Sequence, residues 1–507
     1  MTVKVSSIGL KGLEGYRVQV EVQVTPGTES MIIVGLPDAS VKESKERVLS
    51  VVRSLECDVT NKKIVVNLSP SEQKKNGPLF DLAMTLAVLK AIGNVQEEIP
   101  TDTAFLGALS LDGSVQTVEG MLPALISAKA LGFKRIYIPY DPAIPLTMLE
   151  LDCVVIQHIE DVIQHLKGQN ILSFHTETEH KNDQPHVFQK DFSQIIGHEH
   201  AKRALEIASA GEHNVLMSGP PGCGKSLLSE TFVSILPPLS NQGKLEVMSL
   251  YQLARENIPS LQFPPYRHPH HSASSVAIIG GGSQPKPGEI SLAHRGVLFL
   301  DEMAEFTKKT LDMLRQPLET GMVTISRAHS TVTYPASFIL IGAMNPCPCG
   351  YLGSNTHYCT CSEKQIQAYR YRVSGPVYDR IDVLLSLKSV SLDQNTKTQE
   401  LSSAIRKRVE QARERQFTRY QDEICNAKVP FATLSKTSPL TDRQKNMLSQ
   451  VSAKQQWSNR VQIKIVRLAR TISDLKQEHV ISDESIWEAM TLRRNNTHKI
   501  KTAARET

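Results

Sequence analysis

Gly219-Pro-Pro-Gly-Cys-Gly-Lys225-Ser226 is the stretch whose reading decides how this chain folds. It matches the pattern G-x-x-x-x-G-K-[ST] without deviation. The apolar run Val215-Leu-Met217 before it reads as a buried strand, and Leu227–Leu236 after it reads as a helix. Strand, glycine turn and helix N-terminus in that order make a phosphate cradle. Gly222 and Gly224 let backbone N–H groups turn inward around phosphate oxygens, and the helix dipole favours the anion. The cradle takes in Gly219, Pro220, Pro221, Gly222, Cys223, Gly224, Lys225, Ser226 and Leu227. Lys225 would reach the β/γ phosphates of ATP, and the Ser226 hydroxyl would ligate Mg²⁺.

Working outward, Val297-Leu-Phe-Leu-Asp301-Glu302 is a second apolar strand, ending in two carboxylates some 75 residues beyond the loop. In that order they read as a Walker B pair: Asp301 would hold Mg²⁺ with Ser226, and Glu302 would polarise the attacking water. A third run, Phe338-Ile-Leu-Ile-Gly-Ala-Met344, ends at Asn345, whose amide can reach the γ-phosphate from a neighbouring strand. Each piece alone is commonplace; the order makes them specific.

A chain of 507 residues is too long for one core. Residues 1–168 alternate strand-like and helix-like runs, as an α/β domain would, and residues 169–190 are a polar linker. Residues 191–390 form a second α/β unit, and 391–507 turn helical and basic. Hydrophobic content of 40% and charged content of 21% suit a soluble globular protein. No apolar stretch approaches the roughly 18 residues that span a bilayer. Met1–Val24 alternates as a strand and lacks a signal peptide's block, so a cytoplasmic protein with no membrane partner is expected.

A net charge of +5 permits a nucleic-acid partner without demanding one. Arg406, Lys407, Arg408, Arg413, Arg415 and Arg419 share one predicted helix, either a solvated face or a nucleic-acid contact. Eight cysteines are no disulfide framework at this length. Cys347-Pro-Cys349 and Cys359-Thr-Cys361, an insertion near 347–361, offer four thiols suited to tetrahedral Zn²⁺. Exposed thiols, a redox switch and iron–sulfur ligation are the other readings. The insert from about 259 to 290, rich in Pro, Gly and His, is a long loop, either functional or merely surface. His268, His270 and His271 within it do not read as a metal site.

The chain resembles the magnesium-chelatase-like AAA+ ATPases. The likeness is carried by Phe192-Ser-Gln-Ile-Ile-Gly197 through the P-loop, Pro287-Gly-Glu-Ile-Ser-Leu-Ala-His294, Met344-Asn-Pro-Cys-Pro-Cys-Gly350 and Ala469-Arg-Thr-Ile-Ser-Asp-Leu475. Gly35-Leu-Pro-Asp38, Glu43-Ser-Lys-Glu-Arg-Val48 and Val66-Asn-Leu-Ser-Pro70 resemble its longer bacterial branch, the ComM or YifB proteins. The resemblance implies an N-terminal domain like that of Lon protease (ribosomal protein S5 domain 2-like), an AAA+ core and a C-terminal helical lid. It gives Asn345 the part of sensor 1 and Arg380 that of an arginine finger acting on a neighbouring subunit. Local pairing with Asp379 or Asp382 is the alternative for Arg380. Arg460 would be sensor 2, with Arg467 and Arg470 also in the running. It implies a homohexamer working on single-stranded and branched DNA, a branch-migration helicase of natural transformation with recombination proteins as possible partners. Lys286 and Arg267 in the insert, and Arg327 at a hairpin tip, would touch the DNA backbone. Where Lon has its serine this chain has Leu79, and Ala124-Leu125 follow where Lon has Gly-Leu-Lys, so Ser–Lys proteolysis is not expected. A chelatase-type motor and a protein-remodelling ATPase are the competing functions.

Overall fold

The computed structural model describes residues 2–169, 190–258, 262–282, 285–327, 330–354, 357–390 and 399–493. They form two compact units. The first takes in the described residues up to 169, with 244–258 and 330–333, and the second takes in the remainder.

Val18, Val20 and Val22 alternate along Glu14–Pro26, so the middle of one face of that strand is buried. It lies third in a sheet of seven, ordered Ser30–Val34, Lys62–Ser69, Glu14–Pro26, Val3–Lys11, Thr103–Phe105, Arg135–Pro139 and Asp152–Ile156. The long central ladder is antiparallel, with Val20 opposite both Val5 and Leu68. The outer pairings are parallel. Helix Ala39–Ser54, whose first turn is capped by the Asp38 carboxylate accepting from the Val41 N–H at 2.8 Å, packs with helix Asp81–Ala91 over the sheet. Leu79 is buried in the turn Pro78–Phe80, and Ala124 and Leu125 are buried in helix Met121–Ala130. The positions that correspond to Lon's serine and lysine are hydrophobic core in this chain.

The second unit is built on a five-stranded sheet, in the order Tyr266–Arg267, Val297–Leu300, Ile339–Met344, Val215–Ser218 and Val383–Ser386, parallel throughout. Its inner strands are continuous apolar runs because a parallel sheet is covered on both faces. The insert was expected as a long loop. Tyr266–Arg267 instead supplies the edge strand, and Ser275–Ile279 and Glu289–Leu292 are helical. Val297 and Leu298 on the adjacent strand offer the hydrogen-bonding edge it joins. Residues 259–261 and 283–284 of the insert lie outside the described residues. Among the described residues no helix is long and apolar enough to cross a membrane.

Among the described residues five helices follow: Ser402–Tyr420, Phe431–Thr437, Asp442–Gln455, Asn459–Leu475 and Asp483–Arg493. The basic character of Ser402–Tyr420 turns out to be internal. Arg408 pairs with Glu206 at 2.6 Å, and Arg413 with Glu212 at 3.1 Å. Arg406 donates to the Ser234 carbonyl, Arg415 to the Asp474 carbonyl, and Arg419 to the Asp474 carboxylate. The positive charge docks this helix against Glu199–Gly211 and Asn459–Leu475, with Lys407 left exposed. Asn459–Leu475 in turn buries Val461, Ile465, Leu468 and Ile472 along one stripe.

Glu212 lies between Arg413 and Lys428 (2.6 Å). Burial alone would raise its carboxyl, but the two cations hold it down at about 2. A depressed carboxyl stabilises the fold fully above its unfolded value and loses that contribution as pH falls towards 2. Glu212→Gln should therefore lower stability at pH 7 by roughly 2–3 kcal/mol. The difference from wild type should shrink between pH 4.5 and 2, as thermal unfolding across that range would register.

Candidate active site

Parallel pairing aligns the carboxyl ends of three strands. Ser218 stands opposite Met344 on one side and Ser386 on the other, and Leu300 stands opposite Gly342. Ligands of open parallel sheets gather at such an edge. From Ser218 the chain turns through Gly222 (φ 73°) and Gly224 (φ 86°), both left-handed and both facing open space, into helix Lys225–Phe232. Any residue with a Cβ would be strained at these two positions.

The Lys225 ammonium donates to the carbonyls of Gly219 (2.7 Å) and Pro220 (3.0 Å) and to Asn345 Oδ1 (3.2 Å). It thus sits at the mouth of the loop with the Asn345 amide beside it. Ser226 Oγ donates to Asp301 Oδ2 at 3.2 Å. Two oxygens bound to adjacent corners of an octahedral Mg²⁺, each at about 2.1 Å, would stand roughly 3 Å apart, so the pair fits one cation. Asp301 Oδ1 accepts the Glu302 N–H at 2.8 Å, and Glu302 is held at φ 47°, a left-handed backbone that costs a non-glycine residue energy. That strained turn leaves Glu302 exposed next to the half-buried Asp301.

His271 is the residue that reading the sequence missed. Its Nδ1 lies 3.3 Å from Glu302 Oε2. The edge strand makes the approach: Tyr266 and Arg267 pair with Val297 and Leu298, so the following residues run beside Phe299–Glu302, with the His268 ring 4.7 Å from that of Phe299. A histidine four residues beyond a strand that flanks the Walker B strand was the available signal. It lay hidden because a two-residue strand carries no periodicity.

Arg380 pairs with neither Asp379 nor Asp382. Its guanidinium donates to Glu319 Oε2 (2.5 Å) and to the carbonyls of Pro376 (2.8 Å) and Arg315 (3.2 Å). Asp382 accepts instead from Lys464 (2.6 Å) and the Asn214 N–H (2.9 Å). Burial would raise the Asp382 carboxyl, yet Lys464 and His213 hold it far below the carboxylate range. Of the three arginines considered for the lid, Arg470 is fully buried, donating to the His479 and Glu478 carbonyls, and Arg467 donates to the Val429 carbonyl. Arg460 has a side chain 64% exposed, 3.8 Å from Glu319.

Of the residues expected at DNA, Arg267 forms a two-pronged pair with Glu289 at 2.6 and 2.7 Å. Lys286 lies in the short strand Lys286–Pro287, paired with Gly280–Gly281. Arg327 ends the strand Met322–Arg327, and its side chain lies outside the described residues. The thiols of Cys347, Cys349, Cys359 and Cys361 come together within 4.8 Å of one another.

A P-loop strand between Ile339–Met344 and Val383–Ser386, with the acidic strand one place further out, defines the AAA+ class of P-loop ATPases. Within that class, the chain belongs to the magnesium-chelatase-like family of the ComM and YifB proteins. Residues 191–395 match the family described as magnesium chelatase, subunit ChlI; residues 20–142 match subunit ChlI of Mg-chelatase, and 399–493 its C-terminal part. The chain is 36% identical to competence protein ComM of Haemophilus influenzae and 35% identical to YifB of Escherichia coli K12, over 95% of each chain in both cases. Against the magnesium-chelatase subunit ChlI of Olisthodiscus luteus it is 25% identical over 33% of its own length. The family hydrolyses ATP with Mg²⁺, which is the chemistry that Lys225, Ser226, Asp301 and Glu302 can perform.

Glu302→Gln should lower ATP turnover about 10²–10³-fold while leaving nucleotide binding intact. His271→Ala should lower it about tenfold through kcat, with His271→Asn closer to wild type because the amide can still donate. Steady-state kinetics beside binding of a fluorescent ATP analogue would separate the two steps. Unchanged kcat in His271→Ala would remove His271 from the site.

Proposed function

We propose that this chain forms a homohexameric AAA+ motor in the cytoplasm that moves along single-stranded and branched DNA. In this reading it is a helicase driving branch migration as incoming strands recombine in natural transformation, in concert with recombination proteins. ATP and Mg²⁺ serve the P-loop site, and Zn²⁺ occupies the cysteine quartet. The observation that carries the reading is the similarity, over 95% of both chains, to a protein named for competence. A chelatase motor is the weaker alternative, since the chelatase subunit aligns with a third of this chain.

The arginines support a shared site. Arg380 bonds to Glu319 and to nearby carbonyls, and Arg460 reaches the same carboxylate. On this reading both arginines face the nucleotide of a neighbouring subunit, Arg380 as finger and Arg460 as sensor 2. The DNA-facing groups are Lys286 and Arg327, with Arg267 held back by Glu289; their contacts would be sequence-independent and salt-sensitive.

Two measurements test it. Single-stranded DNA should stimulate ATP hydrolysis, and forked or three-strand DNA should be unwound, both lost in Glu302→Gln; indifference to every DNA tested overturns the motor. Separately, Lys225→Ala and Arg380→Ala subunits should each be inactive alone and recover turnover when mixed, because some sites then pair an intact Lys225 with a neighbour's intact Arg380. No recovery on mixing removes the finger role from Arg380.

A further inference from the structure

Cys347 Sγ lies 3.4 Å from Cys349 Sγ and 3.7 Å from Cys359 Sγ, and Cys349 and Cys359 are 3.6 Å apart. Those spans are far too long for disulfides, whose sulfurs stand about 2.05 Å apart. They match the edges of a tetrahedron: four thiolates at about 2.3 Å from one zinc ion stand roughly 3.8 Å from each other. Backbone N–H groups already point at the sulfurs, Leu352 at Cys347 (3.4 Å) and Tyr351 at Cys349. Such N–H donors are the outer partners that orient metal-bound thiolates.

The position of this cluster matters more than its chemistry. Cys347 follows Asn345 by two residues, and Asn345 Oδ1 is the acceptor 3.2 Å from the Lys225 ammonium. The Met344 carbonyl just ahead accepts from the Gly219 N–H at 3.3 Å. Gly350, at φ 85° in the turn of the first cysteine pair, rests against the phosphate loop: a Cβ there would stand 3.0 Å from the ring of Pro221 and 3.9 Å from the Asn345 amide carbon. The far end of the cysteine segment returns to the same residue. Cys361 leads through the Ser362 cap into helix Glu363–Arg370, whose buried Tyr369 hydrogen-bonds the Asn345 backbone. Asn345 is thus gripped from before and after by one segment that four cysteines close on itself.

We propose that zinc on Cys347, Cys349, Cys359 and Cys361 acts as a brace for the ATP site, holding Asn345 and the Pro221 side of the phosphate loop in their working positions. This rests on the zinc reading above and adds to it a coupling between metal and turnover. Without the ion, four thiols packed this closely separate, the turn at Gly350 leaves Pro221, and Asn345 loses one of its two anchors. The nucleotide can still be held by the backbone of the loop and by Lys225, so the loss falls on the hydrolytic step more than on binding.

The test uses the full-length protein. Metal analysis should return about one zinc per chain, and cobalt-substituted protein should show the d–d bands of a tetrahedral tetrathiolate. Cys359→Ser, and wild type stripped with a thiol-reactive mercurial and chelator, should bind a fluorescent ATP analogue while kcat falls about 10²-fold. Readdition of Zn²⁺ after thiol release should restore the stripped wild type, which guards against a variant that has merely misfolded. Tyr369→Phe should keep its zinc and lose kcat more modestly, separating the brace from the metal. Wild type with no bound metal overturns the zinc reading and this inference together. Zinc at full occupancy with unchanged kcat after its removal overturns the brace and leaves the zinc reading standing.

Discussion

Asp382 is buried at the start of the last strand of the ATPase sheet, and its carboxylate carries the junction on which that unit depends. One oxygen accepts from the Asn214 N–H, at the root of the strand that leads into the phosphate loop. The other accepts from Lys464 on the helix Asn459–Leu475. Asn214 closes the link by donating its amide to the Arg380 carbonyl, and Arg493 donates to the carbonyl of Ile381. Sheet, lid helix and arginine segment therefore meet at one charge. Burying a lone carboxylate would cost several kcal/mol, and a cation plus a backbone N–H donor is what makes the site tolerable. Movement of the lid helix against the sheet has to carry Lys464 with it, so the arginine segment and the phosphate loop share a mechanical fate.

The elements legible in the sequence were those whose chemistry is local. The loop Gly219–Ser226 and the pair Asp301-Glu302 each declare themselves within eight residues, and Asn345 only needs the end of an apolar run. The cysteine quartet needed only spacing, since two close pairs joined by a short loop with Gly350 and Gly353 have few ways to avoid each other. What the sequence hid was partnership at a distance. Glu319 is 61 residues from Arg380 and Glu206 is 202 from Arg408, so no pattern in a helical window shows that those charges are answered. The basic helix read as either a solvated face or a nucleic-acid contact because its counter-charges, Glu206, Glu212 and Asp474, lie far from it along the chain. His271 was hidden for a related reason: the strand that delivers it is two residues long and looks like the start of a proline-rich loop.

The N-terminal unit shows a fold kept apart from a chemistry. Where a serine nucleophile would stand, Leu79 is packed into the core, and two residues on Asp81 is buried with Arg47 donating to it at 2.7 Å and the Leu109 N–H at 3.3 Å. Burial pushes the Asp81 carboxyl up while Arg47 and Ser44 pull it down, the balance of a charge serving as a strut. An apolar side chain at one position and a charge pair used for packing beside it leave no reacting group at those positions.

The exposed carboxylate of Glu319 brings these threads to the edge of the molecule. Its side chain is 55% exposed, whereas that of Arg380 is 15% exposed and anchored by two carbonyls. An ion pair with one wet partner contributes about 0–1 kcal/mol, so exchanging Glu319 for another anion costs little. A triphosphate carries more charge than a carboxylate and offers oxygens to both Arg380 and Arg460, which already converge on one acid. Arg380 is the anchored member of the pair, and Glu319 is the one free to move. Glu319 thus brings two cations to one point, Arg380 at 2.5 Å and Arg460 at 3.8 Å.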